Sequence, residues 1–495
     1  MSSSELAIKR TAHVLLPDPR RVIAKAYLPG EEIAPGGLPR AALLMERVLK
    51  IPEPEVASAL AGVLRGFSQR HKGFEQILER NFEKTKHYIL PGAQLSHDRR
   101  LLIGAYFTHE YSVEASALFN PSMVLAPDQT NLQPGHRRFV MSLRAVGEGH
   151  ISSIEFRSGT LSAASEVAFD PVGPRLVNAE RAAATNYDKG RFAADLNELG
   201  AGNRITQSVL SQLPEQFSIK DLERSLGSLE KSGPVGPLVY QTAKTIRALA
   251  LSNYVTSFPA DSALSERVIF PCGPYETRGM EDARFVRFID DDGSVKYYAT
   301  YTAFNGFEIA PQLIETDDFM SFKIRTLSGV AAQNKGMALF PRRIDGKYVM
   351  LSRMDHENLH LAASERLRFW DDIADLRRPS QPWELVQIGN CGSPLETKAG
   401  WLVLTHGVGP MRRYTLSALL LDLADPRRVI GHLPIPLLEP DETEREGYVP
   451  NVLYSCGSLI NGDTLVLPYG FADYGIKIAL ISMPELLAKL QRSAA

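Results

Sequence analysis

The sequence predicts an all-β protein: a five-bladed β-propeller with a helical N-terminal extension and a helical insertion. Three observations predict it. A short apolar strand pattern recurs five times, four of the recurrences are nearly evenly spaced, and two stretches switch from an apolar period of two to one between three and four. The chain has 495 residues, 44% of them hydrophobic and 23% charged, with 55 Lys and Arg against 57 Asp and Glu. That is ordinary globular composition. The near-neutral balance gives no reason to expect nucleic acid as a partner, and no basic run marks a membrane surface.

The helical regions come first in the chain. Leu43, Leu44, Val48 and Leu49 recur at helical spacing, followed by Val56, Leu60, Val63 and Leu64. Glu53 and Glu55, on either side of Pro54, suit the first turn of that second helix. Residues 1–110 are therefore expected to form a mainly helical extension, and residues 111–495 the propeller. A second helical block, at about 175–260, interrupts the propeller with four periodic segments separated by Gly, Pro and polar breaks. Amphipathic helices must bury their apolar faces. These additions should thus restrict a pocket or form a subunit contact, and the latter would make the protein a homo-oligomer.

The repeat is the strongest signal. Phe139–Arg144, Tyr297–Thr302, Tyr348–Arg353, Trp401–His406 and Thr464–Tyr469 are each six-residue apolar strands that end in a polar or aromatic side chain. The last four recur at roughly 50–65 residues, the size of a four-stranded blade. The long gap after Arg144 is filled by the helical block. Upstream of each strand lies another that begins at a polar residue: Asn120, Asp282, Lys335, Asn390 and Asn451. Inner strands of a propeller converge on its axis, so these starts should line one pocket.

That pocket would hold Asn120, Arg144, Asp282, Lys335, Arg353, His406 and Asp473. Such a collection fits either structural ion pairs between blades or a site for phosphate or another polyanion. Arg353 can grip phosphate oxygens as a fork, Lys335 supplies a compact charge, and His406 can add a hydrogen bond or a charge. Asp282 is the expected general acid, with Glu281 as the alternative. The two alternate along a strand, so only one should face the axis. Arg284 and Glu281 are expected to form a structural pair. His356, Glu357 and His360 have metal-ligand chemistry but read as a surface loop, and no metal is expected. Cys272, Cys391 and Cys456 are widely spaced, odd in number and without a CxxC pair. That argues against a disulfide framework or zinc site and fits a reducing compartment. Residues Met1–Leu16 lack the apolar core of a signal peptide, so the expected location is cytoplasmic.

The segments FNPSMV, SLRA, GMEDARF, NKGMALFPRRIDGKYVMLSR, GWLVLTHGV, YTLSALLLDLADPRRVIGH, EREGYVPNVLYSCG and PYGFAD together resemble glycoside hydrolase family 130. That family comprises mannoside phosphorylases and β-1,2-mannosidases on a five-bladed propeller. The resemblance spans roughly residues 113–482, apart from the helical block. It implies inverting phosphorolysis of β-mannosides to α-mannose 1-phosphate, with inorganic phosphate as co-substrate, no cofactor, and a β-mannoside oligosaccharide as partner. It also implies Asp282 as catalytic acid, acting through a sugar hydroxyl, and Lys335, Arg353 and His406 as phosphate ligands. Asn120, Arg144 and Asp473 would contact the mannosyl unit. A β-1,2-mannosidase, with Glu446 or Glu281 activating water, and a non-catalytic glycan-binding propeller are the alternatives. The chain departs from the family pattern at Ala283, where proline is usual, at Thr405, where tyrosine is common, and in its two helical additions.

Overall fold

The computed structural model describes residues 6–29, 39–181, 186–232 and 236–492. Strand is the commonest regular structure, and most strands lie in antiparallel meanders that follow one another along the sequence. The first contains Ala117–Leu125, Arg137–Val146 and Ser152–Leu161; the second contains Gly279–Ile289, Val295–Phe304, Ile309–Thr316 and Ser321–Thr326. A single parallel pairing, Gly279 with Ser152, joins these two. The third runs from Lys335–Leu339 through Tyr348–Arg353 and Leu359–Ser364 to Asp372–Arg377. The fourth has Gln387–Asn390, Gly400–Val408, Tyr414–Leu421 and Val429–His432, and the fifth has Leu453–Tyr454, Thr464–Phe471 and Gly475–Ser482. Each six-residue repeat segment lies in the second strand of its meander.

Apolar side chains alternate to both faces of these strands, so each sheet must be covered twice. Phe156 of the first sheet packs with Phe285 and Tyr301 of the second. Phe288 and Tyr298 of the second meet Leu339 and Met350 of the third, whose Leu351 and Leu361 meet Ile388 and Val403 of the fourth. Leu404 and Leu416 of the fourth pack on Leu467 and Tyr469 of the fifth. Val466 and Ile478 of the fifth then return to Met141 and Leu143 of the first. The packing order is a closed ring.

The N-terminal region is more than a helical addition. Ile8–Leu15 is a strand paired antiparallel with Gly475–Ser482, so the chain's beginning completes the fifth sheet. Val22–Ala26 pairs with Thr108–Ser112. Between them lie helices Arg40–Leu49, Glu53–Phe67, Phe74–Thr85 and His97–Tyr106. Glu53 and Glu55 occupy the first turn of the second helix, and the Ser96 side chain caps the fourth by accepting from the Arg99 amide. Met45, Val48, Val56, Phe82 and Leu102 form their shared core.

The insertion contains helices Lys189–Glu198, Arg204–Ser211, Ile219–Ser232 and Pro237–Ser252, while 182–185 and 233–235 lie outside the described residues. Its core is its own: Leu196, Val209, Leu222, Leu226, Ile246 and Leu249 are buried together. Arg368 anchors it to the third sheet through Asp195 at 2.8 Å, and Lys244 to the second through Glu308 at 3.2 Å. Its exit strand, Tyr254–Ser257, extends the second sheet by pairing with Ser321–Thr326. Among the described residues no helix is long and apolar enough to cross a membrane.

Candidate active site

The first strands of the first three sheets share a defect. Their ladders slip between Phe119 and Ser122, between Glu281 and Arg284, and between Lys335 and Ala338. At the slips Asn120 has φ 50°, Asp282 has φ 56° and Gly336 has φ 86°. Asn and Asp enter this left-handed region more readily than other side-chain-bearing residues, and a bulge re-aims the side chain it carries. Asn120 and Asp282 thus stand at bulged positions, and Lys335 directly before one.

This bulge corrects the expectation from alternation. Glu281 and Asp282 do not face opposite sides: Arg144 donates from Nη1 to Asp282 Oδ1 at 3.1 Å and from Nη2 to Glu281 Oε1 at 2.8 Å. Its Nε donates to Ser152 Oγ at 2.9 Å. Asn120 Nδ2 donates to Asp282 Oδ1 at 2.7 Å, and Lys335 Nζ to Glu281 Oε2 at 2.7 Å. Nor does Arg284 pair with Glu281; it donates to the Tyr454 hydroxyl at 2.8 Å and to the Asp282 carbonyl at 3.1 Å.

Arg353 stands directly across the ladder from Lys335. Its Nη1 donates to His406 Nε2 at 3.1 Å. A guanidinium cannot accept, so Nε2 carries the lone pair and Nδ1 the proton, facing Cys391 Sγ at 3.8 Å. Gly389 makes room for the pair: a Cβ there would stand 2.5 Å from His406 Cε1 and 3.3 Å from Arg353 Nη1. Asp473, in a left-handed turn with φ 46°, lies within the electrostatic reach of Arg144 and Asp282. The structure therefore gathers all seven sequence-derived residues, with Glu281, Ser152, Arg284 and Tyr454 added.

Charge states follow from these contacts. Burial alone would raise the Asp282 carboxyl, but Arg144, Arg284 and Lys335 outweigh it and hold it at about 2. Asp282 is a carboxylate at neutral pH in the free site. Burial pushes Asp473 up to about 6 against the pull of Arg144. His406 is held well below the usual histidine range by burial, then by Arg353 and Arg284. It is neutral and brings no positive charge, which removes one of the roles expected for it.

Buried polar atoms without a partner among the described residues include Asn120 Oδ1, Asn334 Oδ1, Arg353 Nε, Asn390 Oδ1 and Thr405 Oγ1. Each unmatched group costs about 1–3 kcal/mol. Asn334 adjoins Lys335 and donates to the Arg353 carbonyl at 3.1 Å, Asn390 and Thr405 face each other on the neighbouring sheet, and Asn120 lies at Asp282. So distributed, they fit a polar, oxygen-rich ligand. Among the described residues no group of three or more His, Cys, Asp or Glu is placed to hold a metal. His360 instead faces Asp375 at 3.2 Å and Asp355 at 3.5 Å.

The family model described as beta-1,4-mannooligosaccharide phosphorylase, that of glycoside hydrolase family 130, matches residues 256–492. Asn120 and Arg144 lie outside that span. A "1,2-beta-oligomannan phosphorylase" of Thermoanaerobacter sp. (strain X514) is 37% identical over 220 residues, covering 43% of this chain and 71% of that protein. A "Beta-1,2-mannobiose phosphorylase" of Listeria innocua is 32% identical over 234 residues, covering 46% of this chain and 64%, less than two thirds, of that protein. A solved Listeria innocua beta-1,2-mannobiose phosphorylase in complex with beta-1,2-mannobiose aligns with TM-score 0.44 at 23% identity, over 77% of this chain and 93% of that one. The sequence relatives and the family model agree: the chain belongs to glycoside hydrolase family 130.

Proposed function

We propose that the protein is an inverting β-mannoside phosphorylase on a five-bladed propeller, with residues 111–495 as the catalytic unit. The closed packing order of the five sheets supports the propeller. The juxtaposition of Lys335 and Arg353 with Asp282 on neighbouring sheets carries the chemistry. Phosphate, held by Lys335 and Arg353, attacks the anomeric carbon. A C–O bond to phosphate forms as the glycosidic C–O bond breaks, its electron pair going to the leaving oxygen. That oxygen gains a proton, and the products are α-mannose 1-phosphate and a shortened acceptor. Asn120, Arg144 and Asp473 orient the mannosyl unit.

Asp282 has two functions in this scheme. Ionised in the free site, it accepts a hydrogen bond from a sugar hydroxyl. An entering phosphate offsets the cations that depress it, so Asp282 takes up one proton from solvent as phosphate binds and passes it through that sugar hydroxyl to the leaving oxygen. His406 serves by accepting from Arg353, which fixes the guanidinium fork. Placement and charge supply the barrier reduction.

The hydrolase reading needs a second carboxylate free to activate water. Glu281 is held between Arg144 and Lys335 at 2.8 and 2.7 Å, and Glu446 is exposed. The test is a panel of β-1,2- and β-1,4-mannosides with and without phosphate. Sugar 1-phosphate released only with phosphate is expected. Free mannose at the same rate in phosphate-free buffer would replace this reading with the mannosidase one, and no turnover of any mannoside would favour a glycan-binding protein.

A further inference from the structure

A cavity of about 420 Å³ lies between the last helix of the insertion and the second sheet. One wall is Pro237–Ser252, with Val239, Tyr240 and Lys244; the other is Tyr275 with Asn305 and Glu308. Its volume is within the range of ligand sites. Its position is what matters. Gly279 pairs with Phe304 and Glu281 with Thr302, so the turn 305–308 and the loop entering Gly279–Ile289 are at the sheet end that carries Asp282. Seven residues separate Tyr275 from Asp282, which at ~3.5 Å each sets an upper limit of about 25 Å.

The walls are fixed. Glu276 is 2% exposed, accepts from the amides of Cys272 at 2.9 Å and Gly273 at 2.6 Å, and accepts from the hydroxyls of Tyr254 and Tyr301. It thereby ties the exit of the helical insertion, the cavity loop and the second strand of the sheet together. Lys244 and Glu308 tie the helix to the turn. In the turn, Asn305 Oδ1 accepts from the amides of Phe307 and Glu308 at 2.9 and 2.7 Å, which leaves Phe307 95% exposed at the tip. Tyr240 is 69% exposed at the cavity mouth.

We propose that this cavity binds the distal acceptor units of a manno-oligosaccharide whose scissile bond lies at Asp282. The inference rests on the phosphorylase reading. A hexose presents C–H faces and a rim of hydroxyls. Tyr240 and Tyr275 of the lining, and Phe307 exposed on the adjoining turn outside it, offer flat apolar surfaces for the former, and Asn305, Glu308 and Lys244 of the lining offer hydrogen bonds for the latter. Only one sugar leaves as its 1-phosphate, so any unit bound this far from the reacting carbon belongs to the acceptor. Neither the cavity nor the helix that walls it is needed to cut a disaccharide. The insertion is thus a chain-length device.

The test is phosphorolysis of β-1,2- and β-1,4-manno-oligosaccharides of two to six units by the wild type, Tyr240→Ala, Phe307→Ala and the double variant. Both side chains are exposed, so folding should survive, and thermal melts check it. Disaccharide kcat/KM should stay within about twofold, while that of the longest chains falls about tenfold per aromatic face removed. Equal loss at every length, or loss at none, overturns the proposal. Calorimetric titration of the same oligosaccharides separates it from the functional reading. If the wild type shows no phosphorolysis but binds long chains in a Tyr240-dependent way, the cavity assignment stands and the phosphorylase falls. If it binds none of them, the cavity assignment falls.

Discussion

Arg144 and Arg353 occupy corresponding ends of second strands in the first and third sheets, yet their surroundings differ. Arg144 spends all three of its nitrogens on Asp282, Glu281 and Ser152. Among the described residues the Arg353 side chain makes one hydrogen bond, to a neutral histidine, and its Nε has no partner. The sheet that follows decides this. The second sheet presents two carboxylates at its bulge, whereas the fourth presents Asn390 and His406. One half of the site carries its own counter-ions; in the other, Arg353 faces no carboxylate among the described residues. Under the proposed function, equivalent positions in a repeat are divided between holding the catalytic carboxylates and holding phosphate.

The largest expected effect tests the saturated half. Arg144→Ala leaves Asp282 and Glu281 buried with one fewer cation, and breaking a buried pair in this way costs about 3–5 kcal/mol. Chemical denaturation should show that loss in stability, whereas Arg353→Ala, which strands no carboxylate, should melt within about 1 kcal/mol of wild type. Equal destabilisation by the two would erase the distinction.

Asp282→Asn comes next. Asn tolerates φ 56° and keeps a polar partner for Asn120, so the fold should persist. Turnover should drop by at least about a hundredfold, the scale of general acid catalysis. Steady-state phosphorolysis alongside a thermal melt checks both. Near-normal turnover would transfer the acid role elsewhere, with Glu281 first in line. Smaller again is the effect of Arg353→Ala on phosphate: its apparent KM should rise by about tenfold to a hundredfold, the loss of one or two charge-assisted hydrogen bonds. The rate at saturating phosphate should change less.

The sequence revealed the strand repeat because each buried strand needs an apolar, period-two stretch and each turn needs its Gly, Asp or Pro. It revealed the polar positions because charged residues at strand ends stand out against that background. The bulges were not legible. Nothing in GMEDARF distinguishes a regular strand from one whose Asp282 turns left-handed, and so Glu281 and Asp282 were placed on opposite faces. The strand Ile8–Leu15 was missed for a different reason. It is an edge strand with one exposed face, and Lys9, Arg10 and His13 dilute its apolar signal, while its partner Gly475–Ser482 lies at the far end of the chain. The state of His406 was hidden as well, because neutrality there depends on burial and on Arg353, which only the packed sheets supply.

That neutrality gives the smallest effect and a sharp one. A histidine with the usual pKa near 6.5 would gain charge as pH falls from 8.0 to 6.5 and tighten the grip on any anion. His406 is held well below that range by burial and by Arg353, so it stays uncharged through the window. Asp473, at about 6, remains mainly ionised there, and Asp282, at about 2, wholly so. Sulfate is the right probe, since it is a dianion throughout while phosphate itself titrates. Any tightening towards pH 6.5 then comes from proton uptake at Asp282 or Asp473, so at constant ionic strength the inhibition constant of sulfate against phosphate should change with pH to the same extent, within about twofold, in the wild type and in His406→Asn. A steady tightening of about tenfold towards pH 6.5 that disappears in His406→Asn would mean that the imidazole takes up a proton on anion binding. His406 would then be a charged ligand in its own right, and the contrast between the two halves of the site would have to be redrawn.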